Sequence, residues 1–128
     1  MSLHRIDRLQ EEIQHEVSSI LLFEVTDPWV KGVTITHVMV TKDLGLARVY
    51  YEVPSLTSGE EKASPASEKK IKDSLQKIQK GLNRAKGFFR KQLASRLSLR
   101  VIPEIEFFYD EQKDALARVD ALFAKIGT

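Results

Sequence analysis

An apolar residue recurs at every third or fourth position between Ile71 and Leu97, and this spacing strongly constrains how the chain can fold. The recurring residues are Ile71, Leu75, Ile78 and Leu82, followed by Ala85, Phe89, Leu93 and Leu97. Residues at this spacing lie on one side of an α-helix, so the pattern predicts helix with one buried side. Gly87 costs about 1 kcal/mol relative to alanine in a helix interior. We therefore predict two helices with a kink at Ala85-Lys86-Gly87.

The same part of the sequence is strongly cationic. Residues 69–100 hold 11 lysines and arginines and one acid, Asp73, which gives a net charge of +10. The whole chain carries +2, so the other residues, with 9 basic and 17 acidic side chains, carry −8. A distribution this uneven indicates a polyanionic partner for one side of the protein.

Helical geometry collects these cations on the side opposite the apolar residues. A turn of about 100° per residue places Lys69, Lys77, Lys80 and Arg84 outward, and a straight continuation adds Lys91, with Lys86 and Arg90 on the flanks. The alternative interpretation is a solvated lysine face. Contact with RNA phosphates is favoured because a single acid, Asp73, cannot neutralise the segment through salt bridges within the helix.

The kink at Ala85-Lys86-Gly87 has two interpretations at this stage. A bend there exposes backbone N–H groups at the start of the second helix, where they can face an anion. Alternatively, Gly87 simply allows two helices to turn over a sheet. The sequence leaves both open.

Alternating β-branched and aromatic residues predict three strands. The first covers residues 33–40, with Val33, Ile35 and Met39 on one side, and the second covers residues 46–53. The turn residues 42–45 connect them, so we predict an antiparallel pair. The third covers residues 99–109 and has one side composed of Val101, Pro103, Ile105, Phe107 and Tyr109. Pro103 cannot donate to a strand ladder, which favours an edge position or a bulge.

Helical spacing also marks both ends of the chain. Ile6, Leu9, Ile13, Val17 and Ile20 predict a first helix, which ends near Phe23 before Asp27-Pro28. Leu116, Val119, Phe123 and Ile126 predict a C-terminal helix over residues 111–126. Residues 54–67 are polar and contain Ser, Gly and Pro, which predicts a mobile loop.

The resulting order of helix, strand, strand, helix, kink, helix, strand is that of the type II KH domain. A KH domain clamps nucleotide backbone with a GxxG loop between its central helices. This sequence lacks GxxG and has Ala85-Lys86-Gly87 at the corresponding place. We therefore predict an α+β, type II KH-like RNA-binding domain over residues 1–128, with a core of residues 5–110 and a C-terminal helix over 111–126.

Within this order the chain resembles the bacterial ribosome-binding factor A family. The similar stretches are residues 8–13 and 20–21, Asp27-Pro28 with residues 33–38, Asp43-Leu44 with residues 47–50, residues 82–90, and residues 97–100 and 103–107 with Asp110. The resemblance implies a ribosome assembly factor that binds the free or immature small ribosomal subunit and its rRNA. It further implies a role in maturing the 5′ end of that rRNA, and in growth in the cold.

The chain departs from this family at three places. After Asp27-Pro28 the family usually has a basic residue, but here it is Trp29. Either an RNA contact is absent at that point or the indole stacks in its place. The loop at residues 54–67 is long and the C-terminal tail is short, so the resemblance does not extend to functions carried by a longer tail.

Several classes of function are disfavoured by composition. The absence of cysteine excludes disulfides and thiolate metal sites and suits a reducing compartment. Residues 1–10 lack the apolar segment of a signal peptide, and no apolar run approaches the ~20 residues that span a bilayer. We expect a cytoplasmic monomer with no cofactor, no metal, no membrane attachment and no small-molecule substrate.

The candidate catalytic residues also favour structural roles. His4 and His15 lie about 16 Å apart along the first helix, too far to share a metal. His37 is predicted to be structural, and Glu104 and Glu106 to form a solvated strand face. We expect Phe88 and Trp29 to be exposed, and Phe89, Phe107, Phe108 and Phe123 to belong mainly to the core.

Two alternatives to an assembly factor remain. One is a KH-like protein-interaction module whose basic side meets an acidic protein and which has no role in the ribosome. The other is an enzyme that cleaves or modifies RNA, which we expect not to be the case. No phosphate-binding Gly-rich loop, serine nucleophile elbow or zinc motif is present in the sequence.

Overall fold

The computed structural model describes residues 3–57 and 65–111. Along the chain they form α1 (Leu3–Phe23), β1 (Thr34–Val40), β2 (Leu46–Glu52), α2 (Pro54–Thr57), α3 (Pro65–Arg84), α4 (Lys86–Arg96) and β3 (Glu104–Tyr109). The mixed α+β composition with three strands is as predicted, and the four-residue helix α2 is an addition. Both ends of the chain and residues 58–64 lie outside the described part.

The three strands form one sheet in the order β1-β2-β3. β1 and β2 pair antiparallel, which confirms the predicted hairpin. Asp43 stabilises the turn between β1 and β2, because the Asp43 Oδ1 accepts hydrogen bonds from the Thr41 hydroxyl (2.7 Å) and the Gly45 N–H (3.0 Å). These two bonds lower the pKa of the Asp43 carboxyl. β3 lies parallel to β2, so α3 and α4 make the crossover between them.

An irregularity in β1 changes which of its side chains are buried. The pairing with β2 skips one residue between Ile35 and His37, so Thr36 is an extra residue in the ladder. Such an insertion shifts the alternation of all residues that follow it. The prediction that Met39 shares the buried side is therefore wrong: Met39 is 52% exposed, while its two neighbours in the strand are buried.

Each of the helices α1, α3 and α4 buries one apolar side, as predicted, and these sides pack together on one side of the sheet. The buried hydrophobic residues of these helices are Leu9, Ile13, Val17, Ile20 and Leu21 of α1, Ile78 and Leu82 of α3, and Phe89 and Leu93 of α4. Phe89 meets Phe107 of β3 edge to face, with the ring centroids 5.2 Å apart. Burial of each such large apolar side chain stabilises the fold by about 1.5–3 kcal/mol. This packing fixes which side of α3 and α4 faces solvent.

β3 begins later than predicted, at Glu104. Val101 is 70% exposed, so its predicted place on the buried side is wrong, whereas Pro103 and Ile105 are buried. Pro103 immediately precedes the strand, and the first ladder donor is the Glu104 N–H, which bonds to the Gly45 carbonyl at 3.0 Å. Pro103 therefore lies just outside the strand, rather than at an edge position or a bulge within it, and β3 is an outer strand of the sheet that the described residues form.

The loop predicted over residues 54–67 is wrong at both ends. Its first residues form α2, and α3 begins at Pro65, before the predicted end of the loop at residue 67. Proline suits the first turn of a helix because the N–H it lacks has no partner there. The chain from residue 112 onward lies outside the described part. The predicted C-terminal helix therefore lies outside it beyond Glu111, and so does Phe123.

Gln79 connects α3 to two strands of the sheet. The Tyr51 hydroxyl donates a hydrogen bond to Gln79 Oε1 (2.5 Å), and Gln79 Nε2 donates to the Phe107 carbonyl (2.9 Å). Tyr51 is 1% exposed, and this burial raises the pKa of its hydroxyl from 10.0 to about 12. Directional bonds at one point of α3 help to fix its rotation on the sheet.

We expect Tyr51→Phe to lower the free energy of unfolding at neutral pH by about 1 kcal/mol, because Gln79 loses a hydrogen-bond donor. The raised pKa adds a pH dependence, since ionisation is easier in the unfolded chain than in the folded one. The contribution of the hydroxyl is complete below pH 10 and declines as pH rises toward 12. Urea denaturation at neutral pH and across this alkaline window measures both effects.

Tyr50→Phe is the matched control, because Tyr50 is half-buried on the other side of the sheet. It should leave the alkaline decline of the wild-type protein in place, whereas Tyr51→Phe should reduce it. An identical alkaline decline in wild type and Tyr51→Phe contradicts this account of the hydroxyl.

Candidate nucleic-acid interface

The seven side chains predicted to bind RNA lie on α3 and α4, and we call them the basic surface. Lys69, Lys77, Lys80, Arg84, Arg90 and Lys91 are exposed, and Lys86 is half-buried. The α3 cations face outward because Ile78 and Leu82 occupy the opposite side of the helix and are 4% and 0% exposed. The helical spacing therefore separates cations from core on α3 as the sequence indicated.

The arginines of α3 and α4 have partners within the protein. Arg84 Nη2 lies 3.8 Å from Asp27 Oδ2, and Arg90 Nη2 donates a hydrogen bond to the Ile102 carbonyl at 3.2 Å. Arg96, which is not part of the basic surface, forms ion pairs with two glutamates, one in α1 and one just after it. Arg84 and Arg90 thus hold α3 and α4 to neighbouring segments as well as carrying charge.

The lysines of the basic surface differ from these arginines in their ion pairs. Within residues 3–57 and 65–111, Lys69, Lys80, Lys86 and Lys91 form no ion pair. Asp73 lies one helical turn from both Lys69 and Lys77, yet it pairs with neither in this part of the chain. Unpaired ammonium groups repel one another, and an external anion can neutralise them.

The helix break lies at Ala85. α3 ends at Arg84 and α4 begins at Lys86, while the Ala85 carbonyl accepts the Phe89 N–H at 3.0 Å and so starts the new helix. Gly87 lies inside the first turn of α4, and a Cβ added there has no atom within 4 Å. The position of Lys91 therefore follows the axis of α4, rather than the straight continuation of α3 assumed from sequence.

The turn between α1 and β1 packs against α3 and carries Trp29 to the basic surface. A Cβ on Gly81 would lie 3.0 Å from Val30 Cγ2 and 3.2 Å from Asp27 Oδ2, so the close approach depends on glycine. Lys77 Nζ lies 4.8 Å from the centroid of the Trp29 ring, in cation–π geometry. Trp29 is 45% exposed, as predicted.

Sequence reasoning missed the role of Gly81. The one available signal was a glycine inside a helical pattern. Glycine is unfavourable in a helix, so its presence there indicates a position where another segment approaches closely. Its partner segment lies about fifty residues earlier in the chain, so the contact itself could not be read from local sequence.

A row of aromatic rings crosses the side of the sheet opposite the helices. The His37 and Tyr50 rings stack, with their centroids 4.2 Å apart and their planes at 8° to each other. The centroid of the Tyr50 ring lies 5.7 Å from that of the Phe108 ring. Phe108 is 38% exposed, so its predicted place in the core is wrong; Phe88, predicted to be exposed, is also 38% exposed. The row depends on pairing between strands, which no single strand sequence reveals.

His37, Glu104 and Glu106, the other residues considered for chemistry, lie in β1 and β3. His37 Nδ1 lies 3.1 Å from Thr36 Oγ1 and 3.6 Å from Asp110 Oδ2. Glu106 lies opposite Arg48 in the parallel ladder, and Glu104 is exposed. Among the residues that the structure describes, no group of three or more side chains has the arrangement of a metal site. In the same part of the chain, no helix combines the length and apolar character needed to cross a membrane.

These features define a class: a small α+β protein in which helices cover one side of a three-stranded sheet and present cations to solvent. The family model described as Ribosome-binding factor A matches residues 5–123. The chain belongs to this family.

Individual relatives agree with the family match. The Ribosome-binding factor A of Desulfatibacillum aliphaticivorans is 40% identical over 98% of this chain and 90% of its own length. That of Pediococcus pentosaceus is 43% identical over 96% of this chain and 94% of its own length. The crystal structure of ribosome-binding factor A from Thermus thermophilus has a TM-score of 0.60 at 19% identity, covering 81% of this chain and 93% of that chain, which shows a shared fold.

Gly81→Val and Gly87→Val form a matched pair that tests the packing of the α1–β1 turn. Gly81→Val should lower the free energy of unfolding by about 1–3 kcal/mol, because the added side chain meets Val30 and Asp27. Gly87→Val should change it by no more than about 0.5 kcal/mol, because the space there is open and valine is the better helix former. Urea denaturation gives both values, and equal effects of the two substitutions contradict the account.

Proposed function

We propose that this protein is a non-enzymatic ribosome assembly factor that binds the free or immature small ribosomal subunit through its basic surface. It contacts the rRNA of that subunit and assists maturation of the rRNA 5′ end, including during growth in the cold. It acts in the cytoplasm as a monomer and uses no cofactor. Membership of the Ribosome-binding factor A family supports this proposal, as do the names of the relatives.

The observation that carries the proposal is the set of lysines without ion pairs on α3 and α4. Lys69, Lys80 and Lys91 are exposed and lack an acidic partner among the described residues. A structural role does not account for these charges, since surface lysines that only maintain solubility are normally mixed with acids. Phosphates supply the missing counter-charge, and the displaced salt ions add a favourable entropy.

The mode of binding that we propose is KH-like, with Ala85-Lys86-Gly87 in place of the GxxG clamp. The support is the break at Ala85, which leaves the N–H groups of the first turn of α4 without carbonyl partners in their own helix. Lys86 lies in that turn and adds a positive charge. Such a surface recognises the shape and charge of a structured rRNA and reads little of its base sequence.

Salt dependence tests the phosphate contacts. If the basic surface meets six phosphates of a single strand, the slope of log affinity against log salt concentration should be about −4. The variant Lys69→Gln/Lys80→Gln/Lys91→Gln should fold normally, because these side chains make no ion pair among the described residues. Its slope should shrink to about −2, since each lost contact removes ~0.7. Filter binding of a small-subunit rRNA precursor over a range of salt measures both slopes.

The matched control is Arg5→Gln/Arg8→Gln/Lys42→Gln, which removes the same charge from exposed positions outside α3 and α4. Its slope should stay close to that of the wild-type protein. Equal slopes for the two triple variants show that net charge, rather than the basic surface, drives binding.

The same assay addresses the two alternatives. A wild-type slope near zero contradicts RNA binding and favours an acidic protein as the partner. Gel analysis of the precursor after incubation with purified protein reports on catalysis, and cleavage by the protein alone contradicts the proposed non-enzymatic role.

A further inference from the structure

We propose that Trp29 is a nucleobase-stacking residue beside the basic surface, so that the RNA bound there presents an unpaired base to the indole. The inference rests on the proposed function, because it assumes that RNA meets α3. It extends that function by assigning a contact to a residue outside the seven cations.

The position of the indole is the first argument. Trp29 is 45% exposed, and the exposed ring lies beside α3 with Lys77 Nζ 4.8 Å from its centroid. The next residue, Val30, is fully buried, so the chain turns the aromatic side chain outward while anchoring the segment in the core. A large apolar ring at the edge of a cationic surface can bind a ligand that combines flat rings with anionic groups.

The rigidity of the turn is the second argument. The Trp29 N–H donates a hydrogen bond to Asp27 Oδ1 at 3.0 Å, and the Val30 N–H donates to the Asp27 carbonyl at 3.1 Å. The other carboxylate oxygen of Asp27 faces Gly81 and lies 3.8 Å from Arg84 Nη2. The backbone of Trp29 is therefore held in place before any ligand arrives, which reduces the entropy lost on binding.

The charges near Trp29 favour RNA over a purely apolar partner. Lys77 and Arg84 lie two turns apart on α3, and both approach this turn, Lys77 at the Trp29 ring and Arg84 at Asp27. A nucleotide stacked on the indole brings its phosphates into the reach of these cations. The bases of an A-form duplex are stacked on one another, so an aromatic side chain stacks on unpaired bases.

The row of His37, Tyr50 and Phe108 is the other exposed aromatic group, and it suits a base less well. His37 and Tyr50 already stack on each other. Glu52 and Arg48 lie two residues from Tyr50, and Glu106 lies two residues from Phe108, which places two acids and one arginine on the same side of the sheet as these rings. Acidic neighbours repel the phosphates that accompany a base, so the charge pattern favours Trp29.

Trp29 is the one tryptophan of the chain, so its fluorescence reports on the contact directly. The protein is titrated with a labelled single-stranded RNA and with the same sequence in a blunt-ended duplex. Stacking predicts quenching of the indole emission by the single strand and little change with the duplex. Unchanged emission with a bound single strand overturns the proposal.

Affinity measured by anisotropy of the labelled RNA gives the second readout. Trp29→Leu should weaken binding of the single strand roughly 5- to 150-fold, the range for one base–aromatic stack, and leave duplex binding unchanged. Trp29→Tyr retains a stacking ring and should bind more tightly than Trp29→Leu. Phe108→Leu is the matched control for an exposed aromatic residue outside the basic surface and should bind as the wild type does.

The outcomes separate this inference from the proposed function. Wild-type protein that binds both RNAs in a salt-dependent way, with no loss in Trp29→Leu, overturns the stacking role and leaves the basic surface intact. A loss in Phe108→Leu without one in Trp29→Leu moves the stacking site to the sheet. Failure of the wild-type protein to bind either RNA overturns both proposals.

Discussion

The burial of one side of α3 and α4 against the sheet is the constraint on which the rest of the structure depends. Leu82 and Phe89, on either side of the break at Ala85, are both fully buried, and Phe89 reaches Phe107 of the outer strand. Each contributes on the order of 1.5–3 kcal/mol, more than any single surface charge interaction. Apolar packing thus decides the rotation of both helices, and the cations must then face solvent.

The cationic residues of α3 and α4 divide into two groups according to their contacts. The arginines connect the helices to other segments: Arg84 to Asp27, Arg90 to the Ile102 carbonyl, and Arg96 to two glutamates in and just after α1. The planar guanidinium can make such contacts while it remains charged. Four lysines of the basic surface, Lys69, Lys80, Lys86 and Lys91, make no such pair among the described residues. Contacts of cations within the protein are therefore made mainly by arginine, and charge available to a ligand is carried mainly by lysine.

The features that the sequence predicted well are those set by local periodicity. The stripes of α1, α3 and α4, the hairpin and the outward cations of α3 follow from spacings of two, three or four residues. The errors arise where distant segments meet. The extra residue at Thr36 reverses the sides of β1, so Met39 becomes exposed. Pairing between strands brings Phe108 beside Tyr50 on the side of the sheet opposite α1, α3 and α4. The role of Gly81 depends in the same way on a turn about fifty residues away. Local pattern identifies helices, strands and charge, whereas register and contacts between segments require the folded structure.

We propose that the lysines of the basic surface attach the protein to the immature small subunit. Sedimentation of lysates from cells that express either the wild-type protein or Lys69→Gln/Lys80→Gln/Lys91→Gln tests it most directly. We expect the wild-type protein to sediment with free small subunits and to be depleted from mature ribosomes, and we expect the variant, present at equal abundance, to stay at the top of the gradient. Co-sedimentation of the variant with free small subunits at the wild-type level, or migration of the wild-type protein without any ribosomal particle, would contradict it.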